Sequence, residues 1–589
     1  MEHYDVRFLP EGRTVRIHAG ATLFEAAGQA DIILVSPCGG RGTCKKCRVR
    51  LEPSGQEVLA CQYRIHEPVT VTIPAASRLY HHQILEEGAD KEIQISPMWR
   101  KVFISTPCDS LDLVCDILRK QYIPIVSRPA FDFWAADFGK GLTAVLHYHL
   151  PLKGWDIVAV EPGDTAGLLY GAAADIGTTT VVLRLAELKT GKILATASAA
   201  NPQHQWGDDV ISRIELASTP EGQALLQKAI VDCLGQLLRQ AAAIANVDMR
   251  YVYECTAVGN TTMNHLLLKW PVSQLGQSPY LPHSVEACTV SAAEAGLAIH
   301  PAGVLFTPPN IAGFVGSDTL AAAVASDLDT EHQTTLLVDI GTNGELVLCH
   351  QGRLYTASCA AGPALEGARI LHGSRARAGA RQRGVVNSDD IDIDVIGGRR
   401  PHSICGSGLI DALAVLVELG IIDSTGRFLG REDVEEGRFS AKLRDRLIEH
   451  AGQPAFVFAA ESGKPVVFLT QGDIRQLQLA KAAIRAGIRM LEMTAGITED
   501  QIEKVLLAGA FGNYIQKSSA VTIGLLPAVP LERIHFVGNA ASLGAMELLL
   551  DRGVRAGCET LARRMEYVEL ATRAEFQDIY ADCLMFEKR

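Results

Sequence analysis

Apolar and polar positions alternate along YDVRFL and RTVRIH, and the PEGR between them is a turn signal, so residues 4–18 predict a β-hairpin. ATLFEAAGQA then changes to a helical period. After a glycine-rich loop, CRVRLEPSGQEVLACQYRI and PVTVTIP supply more strands, which completes a small sheet with one helix by residue 75. RLYHHQILEEGADKEIQISP has a high charge content and no clear period, and reads as a linker. Residues 98–168 combine a helical stretch, DSLDLVCDILRKQ, with the strands LTAVLHYHL and WDIVAVEPG, and predict a small α/β domain.

Beyond residue 169 the texture becomes long alanine- and leucine-rich helices separated by buried strands. Two stretches there resemble each other: GAAADIGTTTVVLRL (171–185) and TTLLVDIGTNGELVL (334–348). Their Asp-Ile-Gly-Thr cores, beginning at Asp175 and Asp339, stand 164 residues apart, as expected of two related halves that each open with the same strand–turn–strand device. The expected division is 1–78 (first domain, of a size and order that suit a β-grasp), 79–97 (linker), 98–168 (middle α/β domain), 169–330 (first lobe) and 331–589 (second lobe).

Composition narrows the function classes. A chain of 589 residues exceeds a single core. With 48% hydrophobic and 21% charged residues and 53 glycines it reads as an ordered α/β protein. A net charge of −12 without a Lys/Arg block argues against a nucleic-acid partner. No run of eighteen apolar residues predicts a membrane span, and the opening has no secretory pattern. Fourteen cysteines without small-domain spacing fit a reducing cytoplasm, with thiols free or metal-bound.

Four of those thiols are grouped. Cys38, Cys44, Cys47 and Cys61 follow a C-x5-C-x2-C-x13-C pattern, the first three within PCGGRGTCKKC. Thiolates bind soft iron and zinc, and loop glycines let backbone N–H groups turn toward the sulfurs. Structural zinc usually takes two close Cys pairs, whereas here three thiols share one loop and the fourth comes from a strand. That asymmetry favours a [2Fe–2S] cluster over structural zinc or unrelated buried cysteines. CGGRGTCKKCRV…LAC resembles a ferredoxin domain, which implies one-electron transfer.

The Asp-x-Gly-Thr turns have a mechanical reading of their own. Glycine permits a tight turn and close phosphate approach, threonine hydroxyls and N–H groups bond phosphate oxygens, and the aspartate holds Mg²⁺ directly or through water. A third element, KVLLAGAFGNYI (504–515), runs a buried strand into Gly509, Ala510, Phe511, Gly512 and Asn513, where small residues let an adenosine lie on the backbone. The three together resemble the ATPase superfamily of sugar kinases, Hsp70 chaperones and actin (ASKHA), in which ATP lies between two lobes. The resemblance implies a first phosphate loop of Asp175, Gly177, Thr178 and Thr179, a second of Asp339, Gly341, Thr342 and Asn343, and an adenosine site over Gly509 to Asn513. Asn260 and Thr261 in VGNTTMNHLLL, and Gly406 and Ser407 opening the helix of ICGSGLIDALAVLVELG, are candidate phosphate contacts at helix starts, with simple capping as the alternative. Glu366, Asp208 and Asp209 are candidates for orienting a water or the metal, with solvated or capping aspartates as the equal alternative.

Across nearly its full length, through ADIGTTTVV, NPQ…DVISRI, VGNTTMNHLLL, VDIGTNGEL, CAAGPALEGA, ICGSGLIDAL, AGAFGNYI and VGNAASLGA, the chain resembles the reductive activators of corrinoid proteins. The resemblance implies an enzyme, commonly a homodimer, that uses ATP and a [2Fe–2S] centre loaded by an upstream electron donor. It returns inactive Co(II) corrinoid to Co(I) in a methyltransferase system. The alternatives are an ATP-driven donor to another low-potential metalloenzyme and a non-enzymatic nucleotide-gated redox sensor.

Overall fold

The computed structural model describes residues 3–9, 12–30, 34, 47–74, 93–106, 108, 110–127, 141–207, 209–367, 369–374, 380–386, 390–395, 400–429, 440–461, 464–509 and 515–586. The chain forms two compact units, one of residues 1–90, 330–539 and 568–589, the other of 91–329 and 540–567. Residues 540–567 belong with the earlier part of the chain, not with the remainder of 331–589.

The first domain forms a five-stranded sheet in the order Arg13–His18, His3–Leu9, Val69–Thr72, Arg48–Glu52, Glu57–Leu59. His3–Leu9 runs antiparallel to its hairpin partner and parallel to Val69–Thr72. Alternation sends Val6 and Phe8 into the core while their neighbours face out. The helix Leu23–Gln29 starts at a capping box: Thr22 Oγ1 accepts from the Glu25 N–H, and Glu25 accepts from the Thr22 N–H at 2.7 Å. Leu23 and Ala26 pack against Val49 and Val71, so this β-grasp has its own core.

In the unit of residues 91–329 and 540–567, a four-stranded sheet runs Trp99–Ile104, Leu142–His149, Gly154–Pro162, Ile125–Ser127. Its helix, Leu111–Lys120, is capped by Ser110 and buries Val114, Cys115 and Leu118. The larger sheet of this unit runs Ile193–Ala200, Thr180–Glu187, Tyr170–Ile176, Val252–Gly259, Val304–Thr307, Cys288–Ser291. Buried polar contacts join the two sheets: the Trp99 indole donates to Glu254 at 2.7 Å and the Tyr253 hydroxyl donates to Glu161. Glu254 also pairs with Arg555, and Lys101 meets Glu161 at 2.7 Å within the smaller sheet.

The helix Ala540–Leu550 is apolar nearly all round and all its residues are buried, so it needs cover on every side. It finds part of that cover on the helix Ser317–Ala325, where a Cβ on Gly544 would fall 1.9 Å from the Ala321 carbonyl oxygen. This close backbone approach explains why 540–567 leaves the rest of the C-terminal region.

In the other unit the main sheet contains, in order, Ile534–Gly538, Lys504–Ala508, Thr335–Ile340, Gly344–His350 and Arg353–Cys359. The long helix Gln471–Ala495 covers it, opened by a Thr470/Asp473 capping box and closed by Gly496 at φ +73°. Gly487 lets that helix lie close to Cys359. The repeat seen in the sequence is a repeat of topology. In each unit a strand pairs antiparallel with the next across an Asp-x-Gly-Thr turn and parallel with a later strand, Val252–Gly259 in one and Lys504–Ala508 in the other.

Candidate functional site

Cys47 and Cys61 flank the Arg48–Glu52/Glu57–Leu59 hairpin, which the bond from Ala60 N–H to the Cys47 carbonyl closes at 2.9 Å. Their sulfurs are 3.3 Å apart and both side chains are buried. Two converging thiols on one hairpin are the donor set that a shared iron centre requires, so this half of the ligand set fits a cluster. Cys38 and Cys44 lie outside the described residues.

At the first turn the Gly177 N–H bonds the Thr180 carbonyl at 2.9 Å, and a Cβ on Gly177 would sit 2.8 Å from that oxygen. Buried side chains brace the turn from behind. Asn201 Nδ2 donates to the Gly177 carbonyl at 2.9 Å, and its own N–H bonds the Thr179 carbonyl. Arg213, fully buried, donates to the Thr178 carbonyl at 2.6 Å and the Gly207 carbonyl at 3.0 Å. Asn260 donates to Thr178 Oγ1 at 3.2 Å while its Oδ1 caps the helix Thr261–Leu267. With the turn's carbonyls occupied, its backbone is held in one conformation.

Asp175 closes the strand into this turn, and Asp318, in the first turn of Ser317–Ala325, faces it electrostatically. Desolvation first and the Asp175 carboxylate second push the Asp318 carboxyl up to about 7. Two close carboxylates favour sharing a proton or a cation, which is the chemistry of a metal-and-water site. Sequence reasoning missed Asp318, Asn201 and Arg213. The signal available for Asp318 was GSDTL, a glycine and an acid opening a helix just after a buried strand.

The second turn repeats the first with different support. The Gly341 N–H bonds the Asn343 carbonyl at 3.0 Å. Thr342 Oγ1 donates to Glu366 Oε1 at 2.6 Å, which brings the anticipated Glu366 to the turn. Gly509 has φ +98°, and a Cβ there would lie 2.5 Å from the Ile340 carbonyl oxygen and 2.8 Å from Asp339 Oδ1. Only glycine allows the strand Lys504–Ala508 to end so close to Asp339. The rest of the expected adenosine segment, Ala510, Phe511, Gly512 and Asn513, lies outside the described residues, as does Asp208.

Thr261, Asp209 and Ser407 have hydrogen-bond partners in the scaffold. Thr261 is fully buried and its hydroxyl donates to the Ala312 and Val315 carbonyls at 2.5 and 3.2 Å, so it braces the scaffold. Asp209 caps the helix Val210–Leu216 through the Ser212 N–H at 2.8 Å. Gly406 and Ser407 open their helix in the core: Ser407 bonds Cys405, and Gly408 lies under the carbonyl of the buried Arg381. No hydrogen bond among the described residues joins Ser407 to the 339–343 turn.

Residues 333–589 match "C-terminal domain of RACo the ASKHA domain", residues 170–331 match "RACo middle region", and residues 6–66 match "2Fe-2S iron-sulfur cluster binding domain". The chain is 34% identical over 567 residues to "Corrinoid activation enzyme RamQ" of Eubacterium limosum, covering 93% of each. The chain belongs to the RACo family. A second relative, "[Co(II) methylated amine-specific corrinoid protein] reductase" of Methanosarcina barkeri, is 24% identical over 448 residues, 70% of this chain and 76% of that one. A solved structure called "Reductive activator for corrinoid,iron-sulfur protein" superposes with a TM-score of 0.74 at 32% identity, covering 99% of this chain and 98% of that one. Membership accounts for the ferredoxin-like module and the ASKHA ATPase architecture on one chain. No helix among the described residues is long and apolar enough to cross a membrane.

Proposed function

We propose that this protein is an ATP-dependent reductive activator that passes one electron to the Co(II) corrinoid of a partner protein in a methyltransferase system, restoring Co(I). The observation that carries the reading is the likeness, over 93% of both chains, to a corrinoid activation enzyme, in a chain that keeps both Asp-x-Gly-Thr turns and the cysteine hairpin. A [2Fe–2S] cluster on Cys38, Cys44, Cys47 and Cys61 supplies a one-electron carrier. The hairpin bearing Cys47 and Cys61 holds those ligands in a buried, preorganised place.

ATP matters to such a carrier because each 59 mV uphill costs about 1.4 kcal/mol for one electron. In this reading Gly177, Thr178, Thr179, Gly341, Thr342 and Asn343 hold phosphate oxygens, Gly509 to Asn513 seat the adenosine, and Asp175 and Asp339 hold Mg²⁺ and its waters. Asp318 beside Asp175 accepts a proton from a water, and Glu366 orients Thr342. Nucleotide binding drives partner docking and release to the extent that it favours one conformational state over another. The active form is a cytoplasmic homodimer loaded by an upstream electron donor.

The test is anaerobic. Purified protein, a chemical reductant, the Co(II) corrinoid protein and MgATP are mixed and the Co(I) absorbance is followed. Co(I) forms with ATP, forms far more slowly without it, and does not form with Cys47→Ser protein, which also loses iron. Equal Co(I) formation by wild-type and Cys47→Ser protein overturns the reading.

A further inference from the structure

In the unit of residues 91–329 and 540–567, a concave pocket of about 470 Å³ opens between the start of the middle domain and the first turn of the helix Arg552–Arg564. Trp99 and Trp155, both largely buried, contribute to its wall, and Arg100, Lys101, Lys189 and Arg552 line it. Among the described residues no Asp or Glu lines it, in a chain whose net charge is −12. Lys101 is neutralised by Glu161 at 2.7 Å. Arg100, Lys189 and Arg552 have no carboxylate partner among the described residues.

Arg552 is held in place by something other than an anion. Its guanidinium lies 4.5 Å from the Tyr148 ring centroid and 5.6 Å from that of Trp155. Its backbone is anchored where the Arg552 N–H bonds the Ser96 carbonyl at 2.9 Å. The nearby Asp551 carboxylate is engaged by Ser96 Oγ and by the Gly553 N–H, at 2.8 and 2.7 Å. Stacking fixes the guanidinium plane and leaves its donors for a ligand, which lowers the ordering cost of binding.

From this geometry we propose that the pocket is a binding site for a small organic anion bearing two or more carboxylate or phosphate groups. Its volume is in the range of small-molecule sites, about 300–1,000 Å³. Three cations around one concavity match a multiply charged ligand, and the stacked arginine suits the bidentate geometry of carboxylate or phosphate.

The experiment is isothermal titration of the full-length protein with citrate and, separately, with pyrophosphate. Saturating Mg²⁺ and a non-hydrolysable ATP analogue are present throughout, so that the nucleotide site is occupied. Wild-type protein binds at least one probe, the preferred one identifying carboxylate or phosphate as the favoured group, and binding weakens as salt rises. Arg100→Glu/Lys189→Glu, two exposed positions, weakens it at least tenfold with an unchanged melting temperature, and Arg552→Gln weakens it severalfold. The proposal is overturned if wild-type protein binds neither probe under these conditions or if the doubly reversed variant binds as tightly. It is also overturned if the reversal weakens only the docking of a corrinoid protein, which would make the patch a protein contact.

Discussion

The two Asp-x-Gly-Thr turns form the same hairpin, and different neighbours surround them. Asp175 and Asp339 each close a strand that pairs antiparallel with the next and parallel with a later one. The first turn is braced from behind by Asn201, Arg213 and Asn260 and has a second carboxylate, Asp318, beside its own. The second is tied to Glu366 through one hydroxyl and is crowded by the strand end at Gly509. A duplicated backbone device therefore does not duplicate a chemical role. The first turn is built as an acid pair on a rigid frame, and the second as a turn tied to Glu366 on which a neighbouring strand closes.

The contrast has measurable edges. Arg213→Met should act most strongly, because it removes a buried guanidinium and leaves the Thr178 and Gly207 carbonyls without their donor. A loss of about 3 kcal/mol in chemical denaturation is expected, with ATPase activity falling alongside. A full-strength ATPase in this variant would show that the frame does not set the turn.

Gly509→Ala should follow, at about 1–3 kcal/mol, since alanine at φ +98° is strained and its Cβ meets the Ile340 carbonyl and Asp339. Gly177→Ala should lose less, because its conflict is with one carbonyl and its φ is not positive. Urea midpoints of the two variants compare the turns directly, and the reverse order would undo the assignment of the tighter approach to the second one.

Asp318→Asn tests the acid pair through pH. Folding raises the Asp318 carboxyl from its ordinary range to about 7, so the folded state holds the proton more tightly than the unfolded chain. Its contribution is fully present below about pH 4 and is lost as pH rises through 7. The asparagine variant should therefore gain stability over wild type between pH 4 and 7, by up to about 2 kcal/mol once solvent screening is allowed for. A stability difference that does not change over that range would separate Asp318 from Asp175. The smallest effect belongs to Thr342→Val, which deletes one hydrogen bond to Glu366 and should cost about 1 kcal/mol in the same denaturation assay.

Much of the architecture was legible because it rests on local pattern. The hairpin of the first domain, its helix after Thr22, the helix capped by Ser110 and the strands on either side of each Asp-x-Gly-Thr turn all follow from alternation, helical period and capping chemistry. Glu366 was legible as a candidate, and the structure brings it to Thr342. Thr261 and Ser407 stayed open between two readings because a hydroxyl at a helix start looks the same in sequence whether it faces a ligand or the core. Arg213 and Asn201 were hidden for a related reason: a polar residue in a loop or short helix shows no sign that it will be buried beneath a turn.

By itself the sequence determined which segments become strands and helices, that the strand–turn–strand device occurs twice, and that four cysteines belong to one small domain. These are properties of neighbouring residues, set by periodicity, glycine's backbone freedom and ligand spacing. Only the tertiary structure decided that Asp318 stands beside Asp175, that the helix at 540–550 joins residues 91–329, and that Arg100, Lys189 and Arg552 surround one pocket. Each of these depends on close packing between segments far apart in the chain, where burial and neighbouring charge, which no local pattern encodes, select the partners.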